Sequence, residues 1–258
     1  MGYHMAKPNP KTELSSASID SKEVAKFAAM ADDWWDPNGK FKPLHQFNPV
    51  RLAFIHRQLF EHFNLNTRER QPLCGLRLLD IGCGGGLLSV PMARLGADVI
   101  AVDAALANVK AARHHAQKIE LDVDFRHSAS EALLETQEKP FDIILNMEVI
   151  EHTADRNSFL SSCAQLLAPN GIMIVATLNR TPKARALAIF AAEQILRWLP
   201  PGTHEYDKLV RPDEIREPLE RFGLVIEGPF GVSFNPLTRV WSESHDVSIN
   251  YMMVAKKS

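Results

Sequence analysis

Glu148, Glu151 and His152 place two carboxylates and an imidazole within five positions of the stretch NMEVIEH. On a helical turn, positions i, i+3 and i+4 share one face. Oxygen donors with a single imidazole suit a divalent ion such as Mg²⁺ or Mn²⁺ better than a structural zinc. The same residues also suit a general base, His152, with the glutamates solvated or orienting it. Three solvated side chains are the plainest alternative. Spacing alone leaves these readings open, and the surroundings must decide.

The second chemical stretch is LLDIGCGGGLL, with Asp80, Gly82, Gly84 and Gly86 at alternate positions at a strand-to-helix junction. Glycines there let the backbone turn tightly and approach a ligand closely, and the following helix start offers N–H groups to an anion. A dinucleotide fingerprint needs a third glycine or alanine that this sequence lacks. Leu87 stands there when counting from Gly82, and Ser89 when counting from Gly84. A smaller zwitterion, such as the methionine end of S-adenosylmethionine, suits the loop better. Asp103 ends the next apolar run, where a carboxylate can take both ribose hydroxyls of such a cofactor.

These residues need a scaffold, and one is readable around them. LRLLDIG (76–82), DVIAVD (98–103), VDFRHS (123–128), FDIILNM (141–147) and GIMIVATL (171–178) are short strand-like runs separated by helix candidates. That alternation predicts a mostly parallel sheet covered by helices on both faces. Helices are expected at 21–35 and near 50–63, with a proline-punctuated loop at 41–49 between them, and again at 183–199 and 211–223. LVIEGPF and VSINYMMVA close the chain as two strands. Residues 1–20 read as a disordered or tag-derived N-terminus, and 21–258 as a single domain. Strand four ends at Met147, so the Glu–Glu–His cluster begins where open α/β sheets carry ligands.

Composition narrows the function classes. The 258 residues are 45% hydrophobic and 23% charged, with a net charge of −2, so no basic field points to nucleic acid. Cys74, Cys83 and Cys163 have neither zinc nor disulfide spacing, and reduced thiols in a cytoplasmic protein are expected. No run reaches the roughly 18 apolar residues of a membrane span. KARALAIFAAEQILRWL (183–199) is apolar nearly all round, which suits burial, a partner or a membrane surface. His45, His204, Asn235 and Asn250 are weaker pocket candidates, and His114 and His115 are expected on a solvated helix face.

The glycine loop resembles class I S-adenosylmethionine-dependent methyltransferases over roughly residues 76–178. A more specific resemblance covers nearly the whole chain. FAAMADDWWDPNGKFKPLHQFNPVR (27–51), MEVIEH (147–152), TLNR (177–180), PPGTHEYDK (200–208) and VSINYMM (247–253) are similar to the ubiquinone-biosynthesis O-methyltransferase family. The resemblance implies a Rossmann-like α/β fold with a seven-stranded sheet, N-terminal helices and a helical insertion or lid at 179–210. It implies methylation of catechol-type hydroxyls on a polyprenyl dihydroxybenzene and on a demethylubiquinol. The cofactor is expected on Arg51, Asp80, Gly82, Gly84, Asp103, Ser128 and Met147. The resemblance also points to a divalent metal, Mg²⁺ for preference, on Glu148, Glu151 and His152. Peripheral contact with the inner face of the membrane through 183–199, and a complex with other quinone-biosynthesis proteins, complete the expectation.

Overall fold

The computed structural model describes residues 18–186 and 206–258, apart from Pro236 and Arg239. Eight strands form one sheet in the order β3-β2-β1-β4-β5-β8-β6-β7. They are β1 (Arg77–Ile81), β2 (Asp98–Asp103), β3 (Asp124–His127), β4 (Phe141–Met147), β5 (Leu167–Leu178), β6 (Leu224–Asn235), β7 (Val240–Ser244) and β8 (Asn250–Lys257). β1 to β5 run parallel. β8 pairs antiparallel with both β5 and β6, and β7 pairs antiparallel with β6. β1 lies between β2 and β4, so the chain reverses direction across the sheet there. Such a switch point opens a crevice at the strands' C-terminal ends.

Helices among the described residues include α1 (Ser21–Ala28), α2 (Lys42–His62), α3 (Ser89–Arg94), α4 (Leu106–Lys118), α5 (Ser130–Glu135), α6 (Arg156–Leu166) and α7 (Asp213–Arg221). The two-residue period of the strands divides the core into two layers. Leu78, Ala101, Ile143, Leu145 and Ile174 pack with Phe54 and Ile55 of α2 and Val109 and Ala112 of α4. On the other face, Leu79, Ile144, Val175 and Met253 pack with Phe159 and Leu160 of α6 and Ile215 and Leu219 of α7. The parallel strands are apolar on both faces because both faces are covered.

The expected mostly parallel sheet with helices on both faces holds, with three local corrections. The helix expected over 21–35 ends at Ala28, and only Ala31–Asp33 follow it as a 3₁₀ turn. The sheet has eight strands rather than seven, because β6 continues past Phe230 and turns back as β7. VWSES is a short edge strand with little buried area, so its sequence carries no strong strand pattern; Trp241 anchors it against Phe47 and Phe234, with ring centroids 4.9 and 5.2 Å apart. Likewise, 42–49 is helix rather than loop. Pro43 sits in the first turn of α2, where a missing N–H costs nothing. Pro49 lies inside the helix, and burial of Phe47 and Val50 on either side offsets its lost hydrogen bond. Residues 187–205, which hold most of the 183–199 helix expectation, and His204 with it, lie outside the described residues.

Candidate active site

The ends of β1, β2 and β4, closed by α1 and α2, enclose a cavity of about 270 Å³. Arg51, Asp80, Gly82, Gly84, Asp103, Ser128 and Met147 all line it. Gly82 and Gly84 follow β1 with φ of +67° and +54°, a region that favours glycine. A Cβ on Gly82 would lie 2.4 Å from Val149 Cγ2, and one on Gly84 would lie 2.4 Å from Trp34 Cη2. Gly82→Ala is therefore expected to weaken cofactor binding and lower the melting temperature. In Gly82→Ala/Val149→Ala the clash is gone while the φ strain stays, so only part of the loss returns; calorimetry and thermal melts check both variants.

Asp103 holds the loop shut. Its Oδ2 accepts from Gly84 N at 2.9 Å, and its Oδ1 accepts from Ala105 N at 2.7 Å and Asn108 Nδ2 at 3.2 Å. Ser128 follows β3, with its backbone N–H donating to Asp103 O at 3.2 Å. Asp80 is 2% exposed and accepts from Ser89 Oγ at 2.5 Å. Burial raises its pKa to about 6, against the Ser89 hydrogen bond and the Arg51 charge. Arg51, 4% exposed, donates from Nη2 to Asn48 Oδ1 at 2.9 Å, and its Nε has no hydrogen-bond partner. A buried, incompletely bonded guanidinium opening into a glycine-lined cleft fits the carboxylate of an amino-acid group. These residues fit S-adenosylmethionine: a cation for its carboxylate, a tight glycine turn for close approach and an acid at the end of β2 for its ribose.

The Glu–Glu–His cluster does not form the shared helical face that its spacing suggests. Glu148 stands before the turn, with φ +61° and its N–H donating to Ala176 O at 2.9 Å; only Ile150–His152 make a 3₁₀ turn. Glu148 and His152 line the cavity. Glu151 is 2% exposed; its Oε2 accepts from Thr177 Oγ1 at 2.8 Å and its Oε1 has no partner. Burial, and then the Glu151 charge, raise the Glu148 pKa against Arg51 and His152. Among the described residues, no three His, Cys, Asp or Glu side chains are grouped so as to hold a metal ion.

His152 instead meets a carboxylate from elsewhere in the chain. Its Nδ1 lies 2.9 Å from Glu23 Oε2 of α1, and the Phe27 ring meets it edge-on, centroids 5.1 Å apart. Burial works to lower the His152 pKa, but the Glu23 hydrogen bond and the charges of Glu151, Glu23 and Glu148 outweigh it, and the net shift is upward. The His152 hydrogen bond leads in lowering the Glu23 pKa to about 2, against burial. Sequence reasoning missed Glu23, whose only local signal is a helix start capped by Asp20. It also missed Trp34, which lines the cavity, stacks on Phe41 with ring centroids 3.8 Å apart and donates from Nε1 to Asn108 Oδ1 at 2.9 Å.

The weaker candidates among the described residues, His45, Asn235 and Asn250, do not line this cavity. His45 Nε2 is 2.9 Å from Trp34 O and so helps fix the Trp34 backbone. Asn235 is exposed at the end of β6. Asn250 is buried with Oδ1 unpartnered, and neither asparagine reaches the cavity wall. His114 is exposed as expected. His115 is not simply solvated, because it stacks on Trp35 with ring centroids 3.4 Å apart.

The doubly wound sheet with this glycine–acid cleft is that of a class I S-adenosylmethionine-dependent methyltransferase. Residues 79–175 match the family described as "Methyltransferase domain". Ubiquinone biosynthesis O-methyltransferase from Sinorhizobium medicae is 57% identical over 246 residues, covering 95% of this chain and 99% of that protein. The protein of the same name from Caulobacter vibrioides is 55% identical over 250 residues, covering 95% and 99%. The chain belongs to the ubiquinone biosynthesis O-methyltransferase family. Among solved structures, magnesium protoporphyrin IX methyltransferase from Synechocystis PCC 6803 with bound S-adenosylmethionine shares the fold, with a TM-score of 0.60 at 18% identity, covering 95% of this chain and 100% of that one. Among the described residues, no helix is long and apolar enough to cross a membrane.

Proposed function

We propose that this O-methyltransferase acts on catechol-type hydroxyls of polyprenylated ubiquinone precursors, a polyprenyl dihydroxybenzene and a demethylubiquinol, with His152 as general base. The observation that carries the reading is one cavity holding three things: the glycine–acid cofactor cleft, an imidazole, and an apolar wall from Val24, Phe27, Phe41 and Leu44. S-adenosylmethionine, when bound, supplies an electrophilic methyl group on a sulfonium. The chain must supply the rest: alignment of a hydroxyl with that methyl and removal of its proton. A free phenol has a pKa of roughly 10, so a positioned base gains much at neutral pH. Arg51, Asp80, Gly82, Gly84, Asp103, Ser128 and Met147 hold the cofactor, and the apolar wall excludes water from the proton transfer.

A second reading keeps a divalent ion, Mg²⁺ for preference, on Glu148, Glu151 and His152. The unpartnered Glu151 Oε1, beside a Glu148 whose charged form is disfavoured by burial, supports it. Bound there, an ion would act as a Lewis acid on the hydroxyl. Peripheral membrane contact through 183–199, a cytoplasmic location and a complex with other quinone-biosynthesis proteins belong to the same proposal.

A methyl-transfer assay with a short-tailed catechol and a short-tailed demethylubiquinol, with chelator and with added Mg²⁺, tests both readings. Methylation of both acceptors at equal rates in chelator is the expected result. Loss of turnover in chelator with recovery in Mg²⁺ favours the ion. No methylation of either acceptor, with cofactor binding intact, overturns the substrate class.

A further inference from the structure

We propose that Asn108 is a positioning residue for the ribose acid Asp103, and that Trp34 latches onto it to close the N-terminal segment over the bound cofactor. The inference deepens the cofactor assignment and rests on Asp103 holding the ribose. The match to the methyltransferase domain covers residues 79–175, so Trp34 lies well outside the part of the chain that defines the class. The segment between α1 and α2 nevertheless contributes Trp34, Lys40 and Phe41 to the cavity wall. Two consecutive tryptophans pin it down. Trp34, 8% exposed, donates from Nε1 to Asn108 Oδ1 at 2.9 Å. Trp35 donates from Nε1 to Gly85 O at 2.8 Å and stacks on His115. Asn108 and His115 stand seven positions apart, two turns along one face of α4.

The Trp34 side chain lies directly on the glycine turn. A Cβ on Gly85 would fall 2.4 Å from Trp34 Cβ and 2.5 Å from its Cγ. Gly85 is not among the positive-φ glycines, so its missing side chain makes room for Trp34 rather than for a turn. Asn108, 2% exposed, then carries the contact to the acid. An indole N–H can only donate and a carboxylate can only accept, whereas an amide has one end of each kind. Asn108 Oδ1 therefore faces Trp34, and its Nδ2 donates to Asp103 Oδ1 at 3.2 Å. Asp103 Oδ2 accepts from Gly84 N–H, and a Cβ on Gly84 would also strike Trp34, so indole, amide, acid and turn close a circuit. The Phe41 ring stacked on Trp34, His45 on Trp34 O and the Asp33–Lys40 ion pair at 2.9 Å hold the segment in place. A cofactor held by Asp103 and the glycine turn leaves only after this latch opens.

The test measures two quantities that need no turnover: the dissociation rate of radiolabelled S-adenosylmethionine chased with unlabelled cofactor, and hydrogen–deuterium exchange across 29–41. In the parent, bound S-adenosylmethionine is expected to slow exchange across 29–41, which a merely structural contact would not do. Trp34→Phe, which removes the indole N–H, and Asn108→Leu, which removes both amide bonds, are each expected to speed dissociation tenfold or more. The double variant is expected to stay within twofold of Asn108→Leu, because Trp34 acts on Asp103 through the amide. Gly85→Ala touches neither Asp103 nor Asn108, and it is expected to displace Trp34 and dissociate as fast. Exchange across 29–41 that ignores the cofactor overturns the latch, as do rate changes that multiply in the double variant. Parent-like dissociation in Trp34→Phe and Asn108→Leu, with weak binding in Asp103→Ala, overturns the latch and spares the ribose assignment. Unchanged affinity in Asp103→Ala overturns both together. If Trp34→Phe or Asn108→Leu fails to fold, Gly85→Ala decides alone, and parent-like dissociation there overturns the proposal.

Discussion

Asp103→Ala is expected to fold and to bind S-adenosylmethionine at least about a hundredfold more weakly. Two charge-assisted hydrogen bonds to the ribose hydroxyls are lost, each worth roughly 1.5–3 kcal/mol; about 2.7 kcal/mol already corresponds to a hundredfold change in affinity. A second loss comes from the protein itself. Gly84 N–H, Ala105 N–H and Asn108 Nδ2 all donate to this carboxylate, so alanine leaves the glycine turn without its acceptor. Asp103→Asn separates the two effects. An amide keeps the size but replaces one acceptor oxygen with a donor, which then faces either Gly84 N–H or the pair of donors on Oδ1. The asparagine variant should therefore lose most of the affinity as well, with a smaller drop in melting temperature than alanine. Calorimetry and circular dichroism melts give both quantities; unchanged affinity in Asp103→Ala would show that the ribose lies elsewhere.

The glycine turn and the acid before it were legible because their signals are local. Asp80, Gly82 and Gly84 sit within five residues of one another at a strand end, and the glycine turn demands those residue types whatever surrounds it. The parallel strands were equally clear, since burial on both faces leaves an unbroken apolar run. Contacts made across the chain were not legible. Glu23 and His152 are 129 positions apart, and nothing in SKEVAKFAA distinguishes a buried acid from a solvated one in a first turn. The Glu–Glu–His spacing misled for a related reason: it presumed a helix, whereas Glu148 adopts φ +61° and leaves Glu151 turned toward Thr177. β7 escaped notice because an edge strand buries little and needs little pattern. The 42–49 stretch shows the converse, where tertiary burial of Phe47 overrides two prolines.

His152→Ala is expected to lower turnover by roughly 10²–10⁴-fold while leaving S-adenosylmethionine affinity unchanged, the usual range for loss of a positioned base. The residues proposed to hold the cofactor do not include His152, and Glu23 keeps Lys208 as a partner when the imidazole is gone, so the fold should survive. The residual rate must then depend on phenolate formed in solution. Below a phenol pKa of roughly 10, that fraction rises tenfold per pH unit. Turnover of the variant should therefore climb steeply with pH and close much of the gap to the parent near pH 9. Glu151→Gln provides the discriminating comparison. Glu151 accepts from Thr177 Oγ1 away from the cavity wall, and a glutamine preserves an acceptor there, so on the base reading its effect on kcat is mild and chelator changes little. On the divalent-ion reading, Glu151→Gln and His152→Ala fail alike, and both respond to excess Mg²⁺. Equal severity in the two variants, with rescue by metal, would transfer the deprotonation from His152 to an ion.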